Sequence, residues 1–340
     1  MMRTLLSSLS ACLLMLLAPA AHAGPAYPPH AIANSLLRTL PINADGRRYQ
    51  LHIHLPASFA QQPERRYPVL YLTDGYWDFP TVVASYDNLV YDKVLPEFII
   101  VGLGYAGDKL DYGQLRGWEL SPVPLDDEKP AGSTGHADRF LAALVRDIIP
   151  FMEREYGADA AHRYLAGSSL GGLFTLYAMY TRPELFEGYI AASPAVVVGN
   201  DWIIGQAKAY AATGKPLKAR LYVTGAEYEW PHFLAGIQRY QALLPELKHP
   251  AWSGRAASST ASATQAPRPR ATRAACASSS SRWRRRRDRR KTDGLMDQRV
   301  RRYSRTAVLI AARSIDASSR SSSGECAPLP VAPRPSRLST

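Results

Sequence analysis

Six residues, Gly167-Ser168-Ser169-Leu170-Gly171-Gly172, contain the pattern G-x-S-x-G. A serine with glycine two positions away on each side is a candidate nucleophile. A very tight strand-to-helix turn strains the serine backbone and needs small neighbours. The turn lifts Oγ above the sheet edge, and the following helix start aims its N–H groups at the same place. Ser169 is therefore the candidate nucleophile, Ser168 is excluded in this register, and the Leu170 N–H is one oxyanion donor. A capping turn of glycine and serine is the competing reading. A second donor is expected from the loop Thr73-Asp74-Gly75-Tyr76-Trp77-Asp78. Gly75 permits close backbone approach there and the Tyr76 N–H is the candidate donor, against a plain type I turn. An acid is expected after a late strand, where Leu221 to Thr224 runs into Gly225-Ala226-Glu227-Tyr228-Glu229. Glu227 and Glu229 both qualify, and spacing does not choose between them.

These residues need a scaffold, and hydropathy periodicity supplies one. Arg48 to Leu55 alternates with period two and stops at Pro56, as a strand does. Tyr67–Leu72 and Phe98–Leu103 are buried-strand runs ended by Asp74-Gly75 and Gly104. Ala137 to Tyr156 carries Phe140, Leu141, Leu144, Ile148 and Phe151 at helical spacing and is stopped by Gly157. Tyr164-Leu165-Ala166 leads into the glycine-serine turn, and Leu173 to Tyr180 has helical character. Gly188–Ala192 and Ala219–Thr224 read as strands, and a helix is expected from about His232 to Leu247. Strands alternating with helices imply an α/β fold with a mostly parallel central sheet and helices on both faces. Sites in such sheets lie at the carboxyl ends of the strands.

Charge divides the chain. The 340 residues have a formal net charge of +12. Residues 251–340 hold 20 of the 41 Lys and Arg but 5 of the 29 Asp and Glu, a net of +15. The remaining 21 basic and 24 acidic groups leave residues 1–250 at −3. The segment from about Trp252 is rich in Arg, Ser and Ala, has no histidine and no phenylalanine, and reads as a disordered basic tail. At the other end, Arg3, the apolar run Leu5–Leu17 and Ala21-His22-Ala23 form a secretory signal over residues 1–23. The run is too short for a bilayer span. Leu9-Ser10-Ala11-Cys12 resembles a lipobox, but the richest apolar stretch follows Cys12, on the wrong side. An exported chain, periplasmic or secreted, with a body over residues 24–250 is the expectation. That body has no cysteine and no metal-ligand spacing, so neither a disulfide nor a metal or organic cofactor is implied.

Five features in order carry a family resemblance: YLTDG at Tyr71–Gly75; Arg116 to Pro122; the helix ending at Glu153; the turn YLAGSSLGG with the segment running to Pro194; and GAEYE from Gly225. Over about Leu36 to Pro250 the chain resembles the putative-esterase branch of the α/β-hydrolases, which includes enterobactin and salmochelin siderophore esterases. The resemblance implies an α/β-hydrolase fold and serine-dependent hydrolysis of carboxylic esters, with trilactone siderophores as a substrate class. It places Arg116 and Glu119 on the active-site rim, where an arginine suits an anionic or catecholate ligand; a structural ion pair is the alternative. The family's tryptophan soon after the SP of this region is replaced here by Ala195-Val196-Val197-Val198.

Chain order in these hydrolases is Ser, acid, His. The histidine is due some 30–40 residues after the glutamates, by the resemblance. His232 is too near the acid, His249 precedes the expected strand, and no histidine follows it. Ser169 without a base is a weak nucleophile. The tail suggests why. Codons for Ala257 to Pro267 can read VVDGERHAGT in the neighbouring frame, and those for Ala271 to Ser280 can read YTRGLRFVF in that same frame. These are a strand, a loop with histidine and a closing segment. Residues 251–340 are therefore expected to be a frameshift product, with the last strand and helix of the fold missing.

A small-molecule ester is the expected partner, with no nucleic acid and no stable membrane span; oligomeric state is not legible. Rival functions are an acyltransferase or carbohydrate-linked acyl esterase on the same scaffold, a catalytically dead binding protein, and a nucleic-acid-binding tail. An export signal weighs against the last.

Overall fold

The computed structural model describes residues 31–126, 130–226 and 229–247, together with the backbone of residues 253–259. The compact unit considered below begins at Asn34. The expected signal segment over residues 1–23 and the tail beyond Ser259 lie outside the described residues.

Eight strands form one sheet: β1 Ser35–Thr39, β2 Tyr49–His54, β3 Tyr67–Leu72, β4 Ile99–Tyr105, β5 Ala158–Ser168, β6 Gly188–Ala192, β7 Arg220–Ala226 and β8 Ser253–Ser259. Their spatial order is β1-β2-β4-β3-β5-β6-β7-β8. β1 with β2 and β2 with β4 are antiparallel, and every later pairing is parallel. Between the strands lie α1 (Gly75–Tyr91), α2 (Tyr112–Leu120), α3 (Ala137–Ala143), α4 (Ile149–Tyr156), α5 (Leu170–Thr181), α6 (Trp202–Ala212) and α7 (Pro231–Leu243). This is the mostly parallel α/β sheet that the alternation of strand and helix signals implied, in the α/β-hydrolase arrangement that the family resemblance implied.

Side chains alternate across a strand, so each strand feeds two cores. Val69, Tyr71, Val101, Leu165, Tyr189 and Val223 join one large apolar cluster with Phe140, Leu144, Met152 and Phe174 of the helices. Gly102 of β4 faces the other way, onto Phe79 of α1. There Phe79, Val82, Val83 and Tyr86 are also buried.

Two expectations are corrected. The segment Thr73–Asp78 is not a free loop, because α1 starts at Gly75 and Tyr76 is its second residue. The Asp74-Gly75 turn signal and Pro80, which lies inside the helix, concealed this start. The fold's last strand is also not missing. Ser253–Ser259, expected to belong to an unstructured tail, pairs parallel with β7 from Arg220↔Ser253 to Ala226↔Ser259. The edge of β7 offers unpaired backbone groups, and any segment without proline can satisfy them. The closing helix falls outside the described residues. A smaller difference concerns the helix read as continuous from Ala137 to Tyr156. It contains a π-helical turn at Leu144–Ile148 between α3 and α4.

Close backbone approach fixes α1 against the sheet. A Cβ on Gly75 would meet the Gly102 backbone, 2.6 Å from its Cα. Gly75→Ala is therefore expected to cost about 1–3 kcal/mol through forced backbone shifts. That corresponds to a fall in Tm of roughly 3–10 °C, checked by thermal unfolding.

Candidate active site

Ser169 joins β5 to α5 with φ 58 and ψ −118, a backbone conformation that non-glycine residues avoid. Three backbone hydrogen bonds hold it there. Its N–H donates to the Ala192 carbonyl (3.1 Å), and its own carbonyl accepts from Ala195 (3.0 Å) and Leu173 (3.0 Å). The flanking glycines are obligatory for a steric reason. A Cβ on Gly167 would run into the Gly171 carbonyl and lie 2.5 Å from Thr73 Oγ1, and one on Gly171 would run into Thr73. A Cβ on Gly172 would lie 2.9 Å from Pro194 Cα. The small residues of the motif therefore let the start of α5 pack against both the Thr73-Asp74 segment and the segment after β6.

This packing brings the N-termini of α1 and α5 together. The N–H groups of Gly75, Tyr76 and Leu170 lie in the first turns of these helices. Among the described residues none of the three has a carbonyl partner. Two positive helix ends facing one place favour negative charge, which is what a tetrahedral oxyanion develops. The sequence-predicted Ser169, Leu170, Gly75 and Tyr76 are thus brought to one edge of the sheet.

Asp74 sits between those helix ends with left-handed backbone (φ 56). Its carboxylate accepts two hydrogen bonds from Arg116, from Nε to Oδ1 at 2.7 Å and from Nη2 to Oδ2 at 3.0 Å. The side chains are 3% exposed for Asp74 and 17% for Arg116. Arg116 thus reaches the edge of the site, with its two best-placed donors held by Asp74. Its guanidinium also lies 5.2 Å from the Trp77 ring centroid. The Tyr76 hydroxyl donates to Asp74 Oδ1 at 3.3 Å, and its ring stacks on Tyr112 with centroids 4.0 Å apart. Burial, with the Asp74 charge added, raises the Tyr76 phenol well above its ordinary range, so it stays a neutral donor.

Glu119, one turn along α2 from Arg116, is fully buried and accepts from the Tyr49 hydroxyl at 3.0 Å. Burial raises its pKa to about 7, opposed by hydrogen bonds from Tyr49 and Tyr105. The unfolded-state value of a glutamate is near 4.3, so the folded state holds this proton more tightly. Stability is therefore highest below the unfolded value and falls as pH rises from about 4.5 to 7, by an amount on the order of 3 kcal/mol. Glu119→Gln is expected to remove that slope, read from urea midpoints across the same pH range.

On the opposite flank, β7 ends in a turn where the Glu229 N–H donates to the Ala226 carbonyl at 3.2 Å. Burial raises the Glu229 carboxyl above its ordinary pKa, opposed by the nearby Ser193 hydroxyl. Ser193 lies between Ala192 and Ala195, two of the three residues that hold the Ser169 backbone. Glu229 Oε1 is buried with no partner among the described residues. Glu227, the other candidate acid, lies outside the described residues. Sequence reading missed Ser193, whose positive φ of 41 at a strand end has no local sequence signal.

No described histidine hydrogen-bonds to Ser169. His52 and His54 are on β2, three strands from β5, or about 14 Å at ordinary strand spacing. His136 lies against Trp118 with the rings tilted, His162 pairs with Glu187 at 2.9 Å, and His232 stacks on Trp230. His249 lies outside the described residues. Among the described residues, no group of three or more His, Cys, Asp or Glu side chains is placed to hold a metal ion, and no helix is long and apolar enough to cross a membrane.

A family model described as Putative esterase matches residues 42–309. The ferri-bacillibactin esterase BesA of Bacillus subtilis is 30% identical over 186 residues, which is 51% of this chain and 62% of that protein. The siderophore triacetylfusarinine C esterase of Aspergillus fumigatus is 30% identical over 178 residues, 51% of this chain and 60% of that one. The matches thus span about three fifths of these relatives' length. Among solved structures, the BES protein of Bacillus cereus superposes with a TM-score of 0.60 at 24% identity, covering 69% of this chain and 92% of that one. This likeness supports the fold.

Proposed function

The chain belongs to the family described as Putative esterase, and on that premise we propose that its site is built for serine-dependent hydrolysis of carboxylic esters. The observation that carries the reading is the strained Ser169 backbone, at φ 58 and ψ −118, between β5 and α5. Strain at a non-glycine residue persists where the surroundings over-determine it, and such positions cluster at reacting groups. Ser169 Oγ attacks the acyl carbon. The N–H groups of Leu170 and of Tyr76, with Gly75 beside it, hold the oxyanion. Glu229 or Glu227 supplies the acid that would orient a base. No cofactor enters this chemistry.

The expected substrates are siderophore-type esters, since the matched relatives are named for them. The half-exposed ring group of Tyr76, Trp77 and Tyr112 beside Arg116 is consistent with an aromatic ester component. Export through the segment at residues 1–23 and the frameshift origin of the tail belong to the same proposal. The absent histidine leaves the chemistry without its proton shuttle.

Covalent labelling tests the reading. A fluorophosphonate is expected to modify Ser169 slowly, located by peptide mass spectrometry, and Ser169→Ala is expected to abolish the label. A folded chain that takes no label at Ser169 would identify a binding protein on an esterase scaffold. Comparing a catecholate trilactone with p-nitrophenyl acyl esters then tests the substrate class.

A further inference from the structure

Glu119 is the most deeply buried carboxyl among the described residues, at 0% exposure. Its Oε1 accepts from the Tyr49 hydroxyl at 3.0 Å, and Tyr105, opposite Tyr49 in the β2–β4 register, flanks the same carboxyl. The helix that carries Glu119, α2, grips the start of α1 at two points. Arg116 holds both Asp74 oxygens, at 2.7 and 3.0 Å, and the Tyr112 ring stacks on Tyr76 with centroids 4.0 Å apart. Asp74 in turn abuts the start of α5, since a Cβ on Gly171 would lie 3.4 Å from its Oδ2. One line of contact therefore runs from Glu119 along α2 to the residues that begin α1, and on to the turn that carries Ser169.

The charge on Glu119 matters to that line. A neutral carboxyl is tolerated in a dry site, whereas a carboxylate there needs partners. Asp74 adds a second negative charge nearby, and Arg116 is already committed to it. Arg47 also acts on Glu119, but it lies over the Trp118 ring, 4.0 Å from its centroid. Tyr49 and Tyr105 are held in their neutral forms mainly by burial. Of the helices packed on α2, α5 has no charged residue, and α3 carries Asp138 and Arg139, the latter paired with Asp45 at 3.8 Å. The ionised form of Glu119 thus gains little compensation and must move or draw in water.

We propose that Glu119 is a positioning residue for the Ser169 reaction, and that it seats α2, and through α2 the oxyanion donors of α1, only while its carboxyl keeps its proton. The inference rests on the assignment of Ser169 as nucleophile. Below a pH of about 7 Glu119 is neutral, and Gly75 and Tyr76 keep their places. As pH rises through that value the carboxylate forms, α2 loosens, and the start of α1 loses its grip.

The test uses the full chain and two measurements. The first is the rate constant for fluorophosphonate labelling of Ser169, in the given chain and in Glu119→Gln, from about pH 5.5 to 8.5. The amide matches the neutral acid in shape and cannot ionise. The ratio of variant to given-chain rate is expected to rise from about 1 to about 3–10, because small displacements of oxyanion donors cost rate steeply. Its midpoint is expected at a pH of about 7. Taking the ratio cancels the ordinary gain of serine reactivity with pH. The second measurement is amide hydrogen exchange of α2 and of the first turn of α1, corrected for intrinsic rate. Exchange should quicken across the same range in the given chain and not in Glu119→Gln. A ratio that does not change with pH overturns the proposal even where it differs from 1, because a purely structural role alters the rate equally at every pH. Exchange that is equal at both ends of the range in the given chain overturns it as well. If a folded chain takes no label at any pH, the nucleophile assignment falls, and exchange alone then decides whether Glu119 releases α2.

Discussion

Returning the gene to its neighbouring frame, by a single-base insertion between the codons of Pro250 and Ala257, is expected to raise kcat/KM for an activated ester by about 10⁴–10⁶. In the frame that the codons permit, a histidine falls across those of Ala263 and Thr264, a few residues beyond the end of β8. The register explains why that position matters. β8 runs parallel to β7 and ends opposite Gly225 and Ala226, immediately before the Glu227–Glu229 turn. Chain leaving β8 therefore emerges on the edge of the sheet that carries Glu229 and Ser169. On the proposed assignment, a histidine arising there would bridge Glu229 and Ser169, whereas no described histidine of the present chain hydrogen-bonds to Ser169. The measurement is kcat/KM on p-nitrophenyl butyrate for the given chain, the restored chain, and the restored chain with the new histidine replaced by alanine. The replacement is expected to return the rate to within about tenfold of the given chain, since a triad without its base keeps only oxyanion and binding contributions. A restored chain that folds but is no faster would remove the frameshift account and leave the Arg-rich segment needing another origin.

What could be read before the structure follows from the range of the interactions involved. β3 and β6 match their expected limits, Tyr67–Leu72 and Gly188–Ala192. Continuous apolar runs between turn residues are a local signal. The strand-to-helix switch at Ser169 was legible because glycine spacing reports a local backbone need, although helical character was read only from Leu173 and α5 starts at Leu170. The start of α1 was not, since Asp74-Gly75 and Pro80 suit a turn equally well. What fixes the helix is the contact of Gly75 with Gly102, a residue of another strand. The same holds for the charged pairs. Nothing near Arg116 in sequence indicates Asp74, and nothing near Glu119 indicates Tyr49, which is 70 residues away. Both pairs exist because β2, β3 and α2 converge on one end of the sheet. The acid was narrowed only to a turn, and of its two glutamates Glu229 alone lies among the described residues.

Arg116→Ala is expected to destabilise the fold by about 3–5 kcal/mol, the cost of leaving one partner of a buried ion pair uncompensated. For a chain of this size, that lowers Tm by roughly 6–20 °C. Asp74 is 3% exposed, so water cannot replace the guanidinium. The Tyr76 hydroxyl, at 3.3 Å, is its remaining side-chain donor among the described contacts. The two helix ends beside Asp74 soften the loss without removing it. Arg116→Lys keeps the charge but cannot make the paired Nε and Nη2 bonds, so an intermediate loss is expected. Asp74→Asn combined with Arg116→Met should recover part of the stability, because it removes both charges rather than stranding one. This series separates the two roles proposed for the arginine. An ion pair that positions the start of α1 lowers Tm and weakens labelling of Ser169 by neutral and anionic probes alike, since the Tyr76 N–H moves with the helix. A ligand-binding arginine leaves Tm near its starting value and raises KM for anionic esters alone. With both oxygens of Asp74 held at 2.7 and 3.0 Å, the first pattern is expected. The guanidinium then serves the reaction by keeping a buried carboxylate neutralised where two helix ends must stay free to meet an oxyanion.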